Sequence, residues 1–372
     1  MEALELEKKP PGLRLGPPMF SLMNLLIIVA ASYLIWIIFA DPVHSPWKTY
    51  PQPFGVVLFW SILFVVFFAF LGQLWGLGPR PQPVSGAIWI LLTTVFAVIV
   101  PSVLLHGYGV MDPAFDIGKG GYTATTMIVL IGFYTWGILG TSMGHWPWVD
   151  LGLKQPWVGI GGFLFGFVLT FLGYILLIYP SLASWTSPDK TILPLTVVIG
   201  WFYSVIVSWL TTFLILDNWP WSAFGSRAKT AFAALVGNFV VGTGIYFAFH
   251  ALLRGILLPQ DVQAALGPAI DIWPAHLGVC VSFWLIFWAN VAGNPPTGLG
   301  PIANRLVRLV ITFSLAVATF VVYTRWFAVS VLNEKEIAAG FGGDPLTWID
   351  LMIYVMLVYV IYLGSYGLNR KS

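Results

Sequence analysis

The stretch FGVVLFWSILFVVFFAFLGQLWGLGP, residues 54–79, contains no charged side chain. A second stretch, residues 84–111, is also free of charge. A helix that crosses the hydrocarbon core of a bilayer needs about 20 consecutive apolar residues. Both stretches exceed that length, so we interpret them as membrane-spanning helices and the chain as an integral membrane protein.

The composition of the whole chain agrees with this interpretation. Of its 372 residues, 58% are hydrophobic and only 9% are charged, whereas roughly 25% are charged in an average soluble domain. Many of the 19 tryptophans lie at the ends of apolar runs, as in the aromatic belt of a membrane protein. The single cysteine, Cys280, excludes an intramolecular disulfide and any metal site built from several cysteines.

Ten apolar segments predict an all-α, polytopic membrane helix bundle. Backbone amides in hydrocarbon must pair internally, and these runs are continuous rather than alternating as barrel strands are. The predicted spans are about 19–40, 54–76, 84–106, 123–144, 156–179, 192–216, 229–253, 272–293, 302–327 and 347–366. The same division predicts a cytoplasmic N-terminal segment at 1–18, a single transmembrane domain at 19–366 and a cytoplasmic C-terminal tail at 367–372.

The distribution of Lys and Arg predicts the orientation of the bundle. If the N-terminus is cytoplasmic, eleven basic residues lie on the inner side and six on the outer side. Inner loops of membrane proteins carry the excess of Lys and Arg. We therefore expect both termini in the cytoplasm and the chain in the cytoplasmic (inner) membrane of the cell.

The predicted cytoplasmic turns resemble one another and indicate an internal repeat. Two of them contain Trp-Pro-Trp, and the turns close on Gly78, Gly152, Gly225 and Gly300, at offsets of 74, 73 and 75. Each turn joins an inward helix to an outward helix. The pattern predicts four parallel two-helix hairpins, at about 54–106, 123–179, 192–253 and 272–327, with one further helix at each end.

In the number of its helices, the chain resembles the tellurite-resistance/dicarboxylate type of channel and transporter. That fold is built from five hairpins around a central pore. The resemblance rests on helix count, with the first and last helices forming the fifth pair. It implies a pore on the axis of the bundle.

The predicted spans carry no Asp, Glu, Lys or Arg near their centres. Such residues usually mark proton relays and ion paths, so the pattern disfavours transport through a buried carboxylate. It favours a neutral solute, or an anion held by amides and helix ends. The candidate solute-binding residues are polar side chains in or at the end of spans: Asn238, Asn290, Thr243, Tyr246 and Asp217. The alternative is structural, because polar and small residues also hold membrane helices together and Asp217 is suited to cap a turn.

Three histidines near the predicted outer face form the candidate metal-ligating set. They are His106, His250 and His276. Imidazole binds transition metals and haem iron, but a histidine ring in the headgroup region is the simpler interpretation. The sequence identifies no cofactor.

These features favour a multi-pass membrane permease or channel that moves a small neutral or anionic solute. One alternative is a membrane-embedded enzyme or electron-transfer subunit that uses the outer histidines. A second is a non-transporting subunit of a larger membrane complex. The expected partners are the lipid bilayer, a small-molecule or ion substrate, and further copies or subunits of a membrane assembly. The basic residues are too few and too scattered for nucleic acid.

Overall fold

The computed structural model describes residues 12–77, 80–183 and 191–371. Within these ranges, ten helices are long and apolar enough to cross a membrane. This confirms the prediction of a helical membrane protein with about ten spans. Gly78 of the predicted repeat and residues 1–11 of the predicted N-terminal segment lie outside the described residues. We name the helices in chain order: α1 Pro17–Ala40, α2 Phe54–Leu71, α3 Val84–Val110, α4 Gly121–Gly140, α5 Trp157–Leu177, α6 Leu195–Ile215, α7 Arg227–Leu257, α8 Gln260–Asn290, α9 Pro301–Ser330 and α10 Pro345–Tyr362.

The bundle carries a few short elements at its two faces. Strand β1 (Leu13–Leu15) pairs in parallel with β4 (Leu368–Arg370), so the two described ends of the chain lie side by side. Strand β2 (Glu336–Ala338) pairs antiparallel with β3 (Phe341–Gly342) in the connection before α10. The remaining short helices are Pro113–Phe115, Ile117–Lys119, Tyr179–Leu182 and Trp221–Phe224, and the main segment of α8 begins at Trp273.

The ten helices alternate between exposed and buried positions. In the most apolar window of α2, α4, α6, α8 and α10, between 61% and 78% of the residues are buried. In α1, α3, α5, α7 and α9 the buried share is only 22% to 28%. A helix that is apolar on every side but mostly exposed suits a lipid environment. The exposed set therefore forms an outer layer around the buried set.

The five buried helices form a closed ring. Each contacts the next in the order α2, α4, α6, α8 and α10, and α10 contacts α2 again. Each outer helix packs mainly on one inner helix: α3 on α2, α5 on α4, α7 on α6, α9 on α8, and α1 on α10. The first and last helices of the chain are therefore packed together, although they are the most distant in sequence.

Every inner helix ends in the same backbone geometry. Two consecutive residues with φ between +50° and +76° follow the helix, and the second donates its backbone N–H to the carbonyl six residues earlier, at 2.7–3.0 Å. Gly and Asn, which tolerate positive φ best, supply many of these positions. The pairs are Gln73–Leu74, Gly144–His145, Asp217–Asn218, Gly293–Asn294 and Gly364–Ser365.

Polar contacts join neighbouring inner helices at this face. Asn218 Nδ2 donates to the carbonyl of Ser142 at 3.2 Å, and Asn294 Nδ2 donates to the carbonyl of Leu214 at 2.7 Å. Gln155, in the connection before the outer helix α5, donates from Nε2 to the Leu71 carbonyl of α2 at 2.7 Å. These bonds satisfy carbonyls that the last turn of a helix leaves free, and they fix the spacing of the ring.

Candidate functional site

A cavity of about 220 Å³ lies inside the ring, and all five inner helices contribute to its wall. Most of the wall is apolar, including Phe59, Ile62, Phe133, Ile206 and Ile353. The polar side chains in the wall are fewer, namely Gln52, Thr126, Tyr203, Ser282, Asp344, Thr347 and Asp350. A mostly apolar pocket with a few converging polar groups is the usual form of a small-molecule site.

The cavity lies toward the end of the ring where the inner helices begin. In its wall, Gln52 lies two residues before α2, Ile272 directly precedes the main segment of α8, and Asp344 is the N-cap residue of α10. The deepest lining residues along α6 and α8 are Leu210 and Ile286, and both are apolar. We call the end of the cavity where the inner helices begin its mouth. Polar groups therefore lie nearer the mouth, whereas the deeper end has an apolar wall of the kind that excludes ions and water.

Asp350 is the principal ionisable group in the cavity wall. It is the sixth residue of α10, about 8 Å along the helix axis from its start, and only 5% of its surface is exposed. The Tyr203 hydroxyl donates to Asp350 Oδ1 over a long 3.4 Å. Asp350 Oδ2 is buried and makes no hydrogen bond within the described protein.

Two hydroxyl groups in the same wall are also unsatisfied. Thr126 Oγ1 on α4 and Ser282 Oγ on α8 are buried without a hydrogen bond of normal geometry in the described protein, and Ser282 lies beside the Tyr203 hydroxyl. Buried polar atoms without partners are costly. Three such atoms around one cavity are what a site for a polar ligand would require.

Two hydrogen-bonded acidic groups, Asp344 and Glu334, lie on the α10 side of the cavity mouth. Asp344 accepts from the backbone N–H of Leu346 at 3.0 Å and from the Thr347 hydroxyl at 2.7 Å, which caps α10. Glu334 accepts from the Tyr323 hydroxyl and from the backbone N–H of Asp344, both at 2.5 Å. Burial, and secondarily the negative charge of Asp344, raises the pKa of Glu334 to about 8.

The sequence-predicted residues on α7 lie between helices rather than in the cavity wall. Asn238 is fully buried; its Oδ1 accepts from Ser208 and Thr212 of α6, and its Nδ2 donates to the Ala234 carbonyl. Thr243 accepts from Trp201 Nε1 at 2.8 Å. Both therefore link α7 to α6. Tyr246 is buried beside His250.

The other two predicted solute-binding residues lie at the opposite face from the cavity mouth. Asn290 ends α8, is exposed, and donates to the carbonyl of Ile286 at 3.0 Å. Asp217 is half exposed and pairs with Arg305 at 3.1 Å and with Arg308 at 3.7 Å. Of the five predicted solute-binding residues, none is among those that line the central cavity.

The structure does not bring the three predicted metal-ligating histidines together. His106 is exposed, His250 Nε2 lies 2.9 Å from Asp271 Oδ1, and His276 Nε2 lies 3.6 Å from Asp344 Oδ1. Among the described residues, no group of three or more His, Cys, Asp or Glu side chains is arranged to hold a metal ion.

The candidate residues predicted from the sequence include none of Asp350, Tyr203, Thr126 and Ser282, which line the cavity. Asp350 lies close to the start of the predicted span 347–366, where a carboxylate is expected to reach the headgroups. The structure places it inside the ring instead, so the absence of acidic residues near the span centres does not exclude a buried carboxylate in the bundle. The one available indication was an acid within an otherwise apolar run, Trp348 to Leu363.

Comparison of the chain with protein-family models, with curated proteins and with solved structures finds no match.

Proposed function

We propose that the chain is a multi-pass permease or channel that carries a small solute through the central cavity. The observation that carries this proposal is the cavity itself, because all five inner helices contribute to its wall and polar atoms without partners face it. A ring that only packed tightly would have no need for a central cavity whose wall contains a buried carboxyl group with an unpaired oxygen.

We propose further that five two-helix units build the ring, the fifth formed by α10 and α1. The recurring pair of left-handed residues after each inner helix supports this arrangement, as does the packing of α1 on α10. We place the chain in the inner membrane with its N-terminus in the cytoplasm. In this orientation the cavity mouth faces the outside of the cell. That orientation rests on the excess of Lys and Arg on the inner side.

The cavity changes the expected charge of the solute. The sequence favours a neutral solute or an anion, whereas the wall contains Asp344 and Asp350 and no Lys, Arg or His among its described residues. An anion beside a buried carboxylate would meet like-charge repulsion. The geometry therefore supports a neutral or cationic solute.

The test is solute uptake into proteoliposomes that contain the purified chain. A panel of glycerol and urea, formate and nitrate, and methylammonium and tetramethylammonium covers all three charge classes. Leu130 lines the cavity, so we expect Leu130→Trp to fill it and to lower uptake at least tenfold.

The matched control is Leu172→Trp on α5, where 52% of the leucine is exposed on the outer layer. We expect this variant to retain wild-type uptake. If the wild type moves no member of the panel above protein-free liposomes, the permease proposal fails, and a non-transporting subunit becomes the better interpretation.

A further inference from the structure

We infer that the solute is a small organic cation, bound as an ammonium ion by Asp350 with the hydroxyls of Thr126, Tyr203 and Ser282. This inference rests on the proposed function and adds the chemical class of the solute. It depends on three separate features of the cavity: its charge, its free acceptor atoms and its apolar wall.

The acidic side chains in the cavity wall favour a positively charged ligand. Asp350 is 5% exposed, and no described Lys, Arg or His lines the cavity with it. The other acidic group in the wall is Asp344, which faces His276 at 3.6 Å and donates its backbone N–H to Glu334. A carboxyl group buried without a counter-charge either takes up a proton or pairs with a cation. A bound cation would supply that counter-charge inside the ring.

The free acceptor atoms match the donors of an ammonium group. Asp350 Oδ2, Thr126 Oγ1 and Ser282 Oγ are three buried oxygens without a satisfied hydrogen bond, on α10, α4 and α8. A primary ammonium group carries three N–H donors. Charge-assisted hydrogen bonds of this type are stronger than bonds between neutral groups.

The apolar wall favours an organic cation over a metal ion. A hard cation such as Mg²⁺ or Ca²⁺ requires six or more oxygen ligands, whereas the wall beyond the polar cluster is mainly carbon. Phe59 and Phe133 are part of that wall, and aromatic rings attract alkylammonium ions through their faces. The alkyl part of the solute would replace water against Ile62 and Ile206.

The experiment compares uptake of radiolabelled methylammonium and tetramethylammonium by the wild type and by Asp350→Asn, with glycerol as the neutral solute. Removing the charge while keeping the side-chain shape should lower uptake of methylammonium at least tenfold and leave glycerol uptake within twofold of the wild type. Tetramethylammonium has no N–H donor for the three oxygens, so we expect the wild type to carry it less well than methylammonium. The matched control is Asp116→Asn, because Asp116 lies in an exposed turn before α4 and caps only the backbone N–H of Gly118. This control should retain full uptake of the cations.

A second measurement remains decisive if Asp350→Asn does not fold. Methylammonium chloride should raise the thermal unfolding midpoint of the wild type in detergent, because a ligand that binds only the native state stabilises it. Equimolar sodium chloride should not. The absence of this stabilisation, or cation uptake that persists in Asp350→Asn, overturns the inference.

The outcomes separate this inference from the proposed function. Uptake of glycerol or of an anion, with exclusion of both organic cations, overturns the cation inference and leaves the permease proposal standing. No uptake of any solute overturns both.

Discussion

Asp350 and Glu334 are both buried carboxyl groups, but their surroundings give them different roles. Glu334 accepts two hydrogen bonds, from Tyr323 and from the backbone of Asp344, in the connection that precedes α10. Asp350 has one long hydrogen bond and one oxygen without any, and it faces the cavity. A satisfied carboxyl stabilises structure, whereas an unsatisfied one beside a cavity is a candidate for ligand binding.

The environment of Glu334 predicts that stability depends on pH. Burial raises the pKa of Glu334 from the unfolded value of 4.5 to about 8, so the folded state holds its proton more tightly. The stabilisation is complete below pH 4.5 and is lost as the pH rises through 8. We expect the thermal unfolding midpoint to fall by several degrees between pH 5 and pH 8.5.

The control for this prediction is Glu334→Gln, which keeps the shape of the side chain but cannot titrate. Its unfolding midpoint should show a smaller decrease over the same pH range. Parallel pH curves for the wild type and the variant would contradict the assignment of this dependence to Glu334.

At the scale of the element, the end of each inner helix combines backbone geometry with a contact to the next helix. Asn294 shows both features: its φ is +57°, and its amide donates to the Leu214 carbonyl at 2.7 Å. Asparagine tolerates the left-handed region better than most residues, and its amide satisfies a carbonyl that α6 leaves free. The predicted span 54–76 extended past the true end of α2 because hydropathy does not register this turn.

Two substitutions at Asn294 separate these contributions. Asn294→Gly keeps the left-handed backbone and loses the hydrogen bond, so we expect a loss of about 1 kcal/mol in the free energy of unfolding. Asn294→Ala also strains the backbone and should lose about 1 kcal/mol more. Denaturant unfolding in detergent measures both values.

Gly298→Ala is the control for the Asn294 variants. Gly298 lies in the same turn, its φ is not positive, and no neighbouring atom lies within 4 Å of an added Cβ. We expect its free energy of unfolding to stay within about 0.5 kcal/mol of the wild type. If both Asn294 variants behave like Gly298→Ala, the turn does not contribute to the stability of the ring.

At the scale of the whole molecule, the proposed orientation decides which side of the membrane the cavity mouth faces. Val110 and Leu151 are exposed at 84% and 67%. Val110 is the last residue of α3 and Leu151 lies in the connection between α4 and α5, so the two are at opposite faces of the bundle. Cys280 is the single cysteine and is buried, so Cys280→Ala gives a background without other thiols. Single cysteines at Val110 or Leu151 then report the two faces separately.

We expect a membrane-impermeant maleimide to label Val110→Cys in intact cells. Leu151→Cys should be labelled only after the membrane is permeabilised, because the basic residues near the turns are expected to remain in the cytoplasm. The reverse pattern would invert the orientation and would place the cavity mouth on the cytoplasmic side.

Hydropathy along the chain is enough to show that the helices lie in a bilayer and to place them in the sequence. The absence of charge over residues 54–79 and 84–111 required membrane helices, and ten such segments were predicted near their observed bounds. Hydropathy and turn composition depend only on residues that are close together in the sequence, so both can be recognised without knowledge of the tertiary structure. The Trp-Pro-Trp and Gly-containing turns likewise indicated where helices end.

Only the tertiary structure decided which helices are inside the ring and which side chains face the cavity. A lipid tail is as apolar as a leucine side chain, so a surface that faces lipid and one that faces another helix have similar sequences. Asn238 was therefore a reasonable candidate, but its amide joins α6 to α7. Asp350 became visible as a candidate site only when α10 was placed between α8 and α2.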